Sequence, residues 1–462
     1  MNETKITDKN PLYTKMAPKW ERCRDFIAGA DALRDHDLEY QGNEDSYLEL
    51  LSDKQSYTEY RSYIRRALYT NFPNKTKEIF LGMVFSKEPV IETSTMMEEY
   101  LDDIDLKGTP LVEFVETSLD ETLAVGRMGI LIDVPSSGEV RTLLDAKAEN
   151  IRPYFSMYKA ESIIEWETAR INNRYQIVRI VLMESKQIYR ELILDETGYH
   201  VIMWVAEKEG DEPVAQGPVY PQMRGSTIDR IPFFFIGPKE STIDPELPPL
   251  LDIVEVSRSH YQSSADLEHA RFACALPTPY FIGFSEDEVD GLSLGGLNGI
   301  VARDTQAKVG YLEFAGSGVS SLENALAQKQ QMIAELGVEK LSGGNGAETA
   351  TAVQTRINLQ TASLSDMARS ISRTISKAMQ MMASWAGTEE PFSVALNSDF
   401  VDNTINPQEI SALMASVING SLPLQDYIMR LKKIGVIDST RAVDDVMKEL
   451  AGFNEQDTGN AP

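Results

Sequence analysis

The chain lacks most of what enzymes and metal proteins are recognised by. Its 462 residues hold two cysteines, Cys23 and Cys274, and no CxxC pair. That excludes a disulfide scaffold and fits a reducing compartment. Four histidines, His36, His200, His260 and His269, are scattered, and HExxH is absent; no metal site is expected. No glycine is followed by lysine anywhere, so no P-loop exists to hold nucleotide phosphates. No apolar run approaches the ~20 residues that span a bilayer. The longest, "IPFFFIG" (Ile231 to Gly237), reads as a buried strand. The start, "MNETKITDKNPLY", is polar and carries no secretory pattern. The expectation is a non-enzymatic protein without cofactor, made and used in a cytoplasm. Cations are scarce: 44 Lys+Arg against 71 Asp+Glu leave a formal charge of −27. Such a chain does not grip nucleic acid tightly, because phosphate binding needs clustered cations. It can still surround nucleic acid without sticking to it.

What is present is ordinary globular material, 42% apolar and 25% charged, long enough for two or three domains. The patterning predicts an α+β fold, mainly helical. In "SYTEYRSYIRRALYTNF" Tyr60, Ile64 and Leu68 fall on one face, and Pro73 breaks or restarts the helix. Leu111, Val115, Leu119 and Leu123 predict a helix from Thr109 to Val125, closed by Gly126. "RMGILIDVP" then reads as a short buried strand. From Pro153 to Gly237 the period changes to two, and "YQIVRIVLM", "QIYRELIL" and "GYHVIMWVAE" predict an antiparallel meander. "EGDEPVAQGP" reads as a solvated loop.

A second helical region starts after "DPELPPL". Leu250, Val254, Tyr261, Ala265 and Phe272 mark one stripe of a helix. A glycine-rich insert, Leu276 to Gly318, holds strand candidates "PYFIGF", "GIVAR" and "KVGYLEF". A helix follows to Leu336, with Ser320 or Ser321 as N-cap. Glu348 to Ala386 is the strongest helical pattern: Val353, Ile357, Leu364, Ile371, Ile375, Met382 and Trp385 advance by threes, fours and sevens. Arg369, Arg373 and Lys377 form a basic row on another face, either solvated or a subunit or DNA contact. "PFSVALNSDF" reads as a strand, and short helices with breaks at Gly420, Pro423 and Gly435 fill Pro407 to Leu450. The last residues, "NEQDTGNAP", read as a disordered tail.

Between two of these helices lies "KLSGGNG", Lys340 to Gly346, which looks like the LSGGQ signature of ABC-type ATPases. Without a P-loop that signature has nothing to work with, and Glu348 in the next helical turn repels a phosphate. The loop needs another role.

The order of the pieces supplies one. Two helices around a β insert, a Gly-rich loop and a very long helix follow an α/β part and precede a helical part. This order resembles the portal proteins of tailed bacteriophages. Local stretches agree with one portal subfamily: "NPLYTKMAPKWERCRDFIAGADAL", "GRMGILIDVP", "RPYFSMYKAESIIEW", "PLLDIVEVSRSHYQSSADLEHA" and "ALPTPYFIGF". The resemblance covers most of residues 10 to 385. Asn10 departs from it, where the subfamily often carries histidine, and so does "LEYQGNEDSY".

The resemblance implies a portal-type fold. Residues 1–247 would form the wing, 248–275 the first stem helix, 276–319 the clip and 320–336 the second stem helix. Residues 337–347 would be the tunnel loop, 348–403 the spine helix and a wing strand, 404–451 the crown, and 452–462 the tail. It also implies a homo-oligomeric ring of twelve subunits at one capsid vertex, in the virion and, during assembly, in the host cytoplasm. Implied partners are the terminase large subunit, head-completion or adaptor proteins, the major capsid and scaffolding proteins, and double-stranded DNA passing non-specifically; no membrane is implied. On that reading Lys340, Ser342, Gly343, Gly344 and Asn345 form the tunnel loop, Lys329 lies on the stem channel, and Asp287, Glu288 and Asp290 are clip contacts. The rival readings are an acidic ring-forming or adaptor protein unrelated to packaging and, third, an ATPase.

Overall fold

The computed structural model describes residues 5–135, 150–171, 173–239, 242–275, 278–285, 289, 304–312, 317–336, 350–400, 407–433, 437, 441–443 and 445–449. Two units emerge, Met1–Asp399 and Phe400–Pro462. The fold class is α+β, as the patterning predicts.

The first unit opens with helices. α1 (Pro11–Ala28) starts where Asn10 Oδ1 accepts the Leu12 N–H at 3.0 Å, with proline at the first helical position. Tyr13, Met16, Trp20, Cys23 and Phe26, spaced three and four apart, are all buried. Gly29 (φ +109°) separates α1 from α2 (Ala30–Tyr40). α3 (Tyr57–Arg66) begins with a capping box between Ser56 and Glu59, and α4 (Phe72–Val84) carries Pro73 in its first turn, so of the two readings, break or restart, the proline restarts the helix. Tyr60 and Ile64 are buried as expected, but Leu68 is 58% exposed: α3 ends at Arg66, so the stripe does not reach it. After the short strand β1 (Val90–Glu92) and the short helix α5 (Glu98–Leu101) comes α6 (Leu111–Val125). Leu111, Val115, Leu119 and Leu123 are buried, and Gly126 closes the helix in the left-handed conformation.

Two sheets follow. β2 (Met128–Asp133) is the centre of a three-stranded antiparallel sheet, between β3 (Tyr154–Lys159) and β11 (Phe233–Ile236). The expected meander is β4 (Ile163–Ile171), β5 (Arg174–Ser185), β6 (Ile188–Asp195), β7 (Gly198–Val205) and β8 (Val214–Val219), paired in that order. β8 corrects the sequence reading of "EGDEPVAQGP" as a loop. It is an edge strand with every residue exposed, so no alternation marks it. The minor strands β9 (Gln222–Met223) and β10 (Ser226–Thr227) form a small ribbon. One core cluster joins α1 to both sheets through Trp20, Leu131, Ile163, Trp166, Ile180, Leu192 and Phe233. A second, with Phe26, Leu33, Tyr47, Leu48, Tyr60 and Ile64, takes in Val254, Tyr261 and Ala265 of the next helix.

That helix is α7 (Leu251–Ala275). It leads through β12 (Thr278–Ile282) and β13 (Lys308–Leu312) to α8 (Ser317–Leu336) and then α9 (Ala350–Ala386). α8 begins at Ser317, so Ser320 and Ser321 lie inside it and are not its N-cap. Phe272, expected on the buried stripe of α7, is 45% exposed. α9, 37 residues long and about 55 Å at 1.5 Å per residue, buries Leu364, Ile371, Ile375 and Met382. Val353 and Ile357 lie within α9 as expected, and the candidate strand "GIVAR" lies outside the described residues. β14 (Ser393–Ala395) pairs with β1. The second unit contains α10 (Pro407–Ile418) and α11 (Leu424–Lys433), separated by the expected break at Gly420 and Pro423. Among the described residues, no helix is long and apolar enough to cross a membrane.

Candidate functional site

The feature that stands apart is an antiparallel helical hairpin. α7 and α8 pack side by side and are joined in sequence through the β12–β13 ribbon. A polar seam fixes their register. Lys329 Nζ donates to the Ser259 carbonyl at 2.8 Å and to Ser263 Oγ at 2.6 Å. Gln330 Nε2 lies 3.3 Å from His260 Nε2, which must accept because an amide nitrogen only donates. Burial, then the nearby Lys329 charge, holds the His260 pKa below the ordinary histidine value, consistent with that neutral ring. Arg271 bridges Glu268 on its own helix and Glu323 on α8, each at 2.8 Å. Burial also lowers the Lys329 pKa.

The root of α7 is held by polar contacts to the N-terminal helices. Tyr63 Oη donates to Asp266 Oδ1 at 2.7 Å, and Gln262 Nε2 to the Tyr47 carbonyl at 3.0 Å. Asp37, fully buried, accepts the N–H groups of Tyr47 and Leu48 at 2.7 and 2.9 Å and faces the Tyr261 hydroxyl at 3.5 Å. Arg22 pairs with Glu255.

The ribbon is a bare two-stranded ladder, Thr278 opposite Leu312 through Ile282 opposite Lys308. Alternation puts Tyr280 and Ile282 on one face and Phe281, Val309 and Tyr311 on the other. Tyr280, Ile282, Val309 and Tyr311 are 44%, 56%, 42% and 54% exposed, so both faces present apolar surface. Tyr280 lies across Gly310, where an added Cβ would sit 2.6 Å from its hydroxyl oxygen. Two strands alone are marginal in water.

α9 packs against α6, β2, β11 and β14. Ser370 Oγ donates to the Gly237 carbonyl at 3.1 Å, just before the linker into α7. Under that linker Arg127, 2% exposed, donates to the Ile243 carbonyl at 2.6 Å. Its guanidinium lies 4.2 Å from the Trp166 ring and 4.4 Å from that of Phe235. Burial lowers its pKa to about 9. In the sequence Arg127 reads only as the start of a strand, because the aromatic residues that sandwich it, Trp166 and Phe235, are far away in the chain.

Of the residues singled out from sequence, Lys329 is turned into the hairpin seam. Arg369, Arg373 and Lys377 are exposed on one face of α9, with Arg369 paired to Asp366 at 3.1 Å. Lys340, Ser342, Gly343, Gly344 and Asn345 of the loop, and Asp287, Glu288 and Asp290 of the insert, lie outside the described residues. Among the described residues no group of three or more His, Cys, Asp or Glu is placed to hold a metal ion.

The run from hairpin to long helix is also where a family model matches: residues 249–386 correspond to a domain of unknown function, DUF4055. Among curated proteins, none matches the sequence. Among solved structures, one described as the neck of an empty GTA particle computed with C6 symmetry is 11% identical, with TM-score 0.42, over 80% of this chain and 92% of that chain. The virion of a native gene transfer agent (GTA) particle gives 10% identity and TM-score 0.40, and the neck of a native GTA particle computed with C12 symmetry gives 11% and 0.39, with the same coverage.

Proposed function

We propose that the chain is a portal protein of a tailed bacteriophage, a ring at one capsid vertex through which DNA is packaged and ejected. The observation that carries this reading is the hairpin. Two long helices leave the mixed α/β unit, end in a ribbon with apolar surface on both faces, and are followed by a helix of 37 residues that packs back on that unit. A ribbon that must cover both faces suits head-to-tail contact with neighbours on either side, the contact that closes a ring. In this reading α7 and α8 are the stem, the ribbon belongs to the clip, α9 is the spine and the second unit is the crown. The clip would meet the terminase large subunit and later head-completion proteins, and the rim would meet capsid and scaffolding proteins.

The charge fits the role. With −27 per chain, a ring repels duplex DNA, whose backbone carries one charge per ~1.7 Å of axis. DNA therefore passes without settling on the wall. The chain itself performs no chemistry; a separate ATPase supplies the work. Negative-stain electron microscopy of the purified chain, alone and with procapsid components, tests the reading. Rings with a central channel are expected. Monomers or dimers under all conditions would overturn it, and ATP hydrolysis by the chain alone would overturn its non-enzymatic part.

A further inference from the structure

We propose that the outer face of α3 in one copy receives the acidic segment 95–102 of a second copy. This rests on the ring reading above and names one of its interfaces.

The face is unusual for so acidic a chain. Arg61 and Arg65, one helical turn apart, are both exposed. Arg61 lies 5.8 Å from the Tyr57 ring. On one flank Arg66 stacks 4.2 Å from Phe272, with Nη2 3.2 Å from His269 Nδ1 and its Nε buried without a hydrogen-bond partner. A groove of about 550 Å³ runs there, lined by Leu51, Lys54, Arg66, His269 and Phe272 among others. On the other flank a smaller groove, about 330 Å³, is lined by Arg34, Arg61 and Arg65 beside Leu38, Asp31 and Asp35. Of the nearby carboxylates, Asp31 pairs with Arg34 and Glu59 closes the α3 capping box. Among the described residues Lys54, Arg61, Arg65 and Arg66 have no carboxylate within ion-pair distance.

The cations stand among exposed apolar groups: Leu51 is 45% exposed, Tyr57 50%, Leu68 58% and Phe272 45%. Arginine interleaved with aromatic and aliphatic side chains is the composition of a protein interface core, whereas a surface for passing DNA needs cations alone. The complement lies on the same chain. In segment 95–102, Glu98, Glu99 and Asp102 are exposed and, among the described residues, unpaired; Met96 beside them is 53% exposed. The two patches are different surfaces, so their pairing is head-to-tail. The guanidinium and carboxylate partners would form charge-assisted hydrogen bonds.

The test is a charge swap in the full-length chain, read as the ring fraction by mass photometry and electron microscopy at about 0.15 M salt. Arg61→Glu/Arg65→Glu should lower the ring fraction by at least about tenfold, because like charges facing across an interface repel. Glu98→Lys/Glu99→Lys should do the same, and the combined variant should recover rings. A misfolded variant is not rescued by a second reversal, so recovery separates an interface from a folding defect. Rings in either single reversal, or none in the combined variant, overturn the proposal while leaving the ring reading intact. Rings retained together with lost binding of duplex DNA would mark the face as a DNA contact and also overturn it. A parent chain that never forms rings removes the ring reading, and this interface with it.

Discussion

Ser376 Oγ, on the long helix α9, accepts the backbone N–H of Val394 in β14 at 2.9 Å. It is the middle of three such contacts. Ser372 Oγ accepts from Leu396 at 3.0 Å, and Gln380 Oε1 accepts from Phe392 at 3.0 Å. The helix advances four residues, about 6 Å, for each two residues of extended chain, about 6.6 Å. The two spacings match, so side chains four apart serve alternate N–H groups while β1 pairs with the same strand. Replacing Ser372 and Ser376 together by alanine strands two N–H donors, each at a cost of about 1–3 kcal/mol. Urea denaturation should show that loss, and hydrogen exchange at Val394 and Leu396 should accelerate. Unchanged exchange there would mean that the stitching contributes nothing.

Asp37 sets a pH dependence. Burial pushes its carboxyl up from 3.8 to about 7, against the opposing pull of the Leu48 and Tyr47 N–H groups, the Tyr261 hydroxyl and Arg258. The folded pKa therefore lies above the unfolded one. The folded chain holds the extra proton between about pH 4 and 7, so this group's contribution is fully present at low pH and is lost as pH rises through 7. Asn in place of Asp37 keeps an oxygen for both N–H donors and removes the charge. Asp37→Asn should gain on the order of a few kcal/mol over the parent at pH 8 and little at pH 5. Parallel stability curves for the two proteins from pH 5 to 8 would refute the assignment.

Much of this architecture is legible in the sequence, because burial on one face writes a period. α6, α7, α9 and the meander all show it. What has no burial contrast is hidden. β8 is a strand by hydrogen bonding alone, and its exposed VAQGPV carries no alternation. Leu68 continues a stripe on paper, yet the helix beneath it has ended. The stitching of β14 is invisible for another reason: serines on a helix usually bond back to their own helix, as Ser372 does to the Ala368 carbonyl at 2.7 Å, and only the fold brings the second partner. Asn10, where the chain departs from the pattern of the subfamily it resembles, caps α1 and reaches Glu165 Oε1 at 2.8 Å.

Lys329 shows the same limit for a site residue. The resemblance assigns it to a stem channel, and the residue pattern does not say which way it points. Its ammonium is bonded to Ser259 and Ser263 across the hairpin. Lys329→Met should weaken the hairpin by about 1.5–3 kcal/mol, the usual range for a hydrogen bond to a charged group. Hydrogen exchange in α7 and α8 should report the change, and the yield of packaged DNA should stay at the parent level. A packaging defect with unchanged exchange would return Lys329 to the channel wall.

Two glycines should respond in opposite directions. Gly82 lies inside α4, exposed, and an added Cβ meets nothing within 4 Å. Gly82→Ala should stabilise by about 0.5–1 kcal/mol, because alanine has less backbone freedom to lose. Gly126 has φ +75°, and a Cβ there would sit 3.1 Å from the Leu247 carbonyl oxygen and 3.3 Å from Pro248 Cα. Both obstacles are backbone, in the linker that leads into the hairpin. Left-handed geometry alone costs alanine about 1–2 kcal/mol, and the linker must also move away from Arg127, which holds Ile243 beside it. Gly126→Ala should therefore lower stability by more than that figure and open residues 242–248 to limited proteolysis. If both variants melt alike, the close approach of the linker to the end of α6 is not what fixes the root of the hairpin.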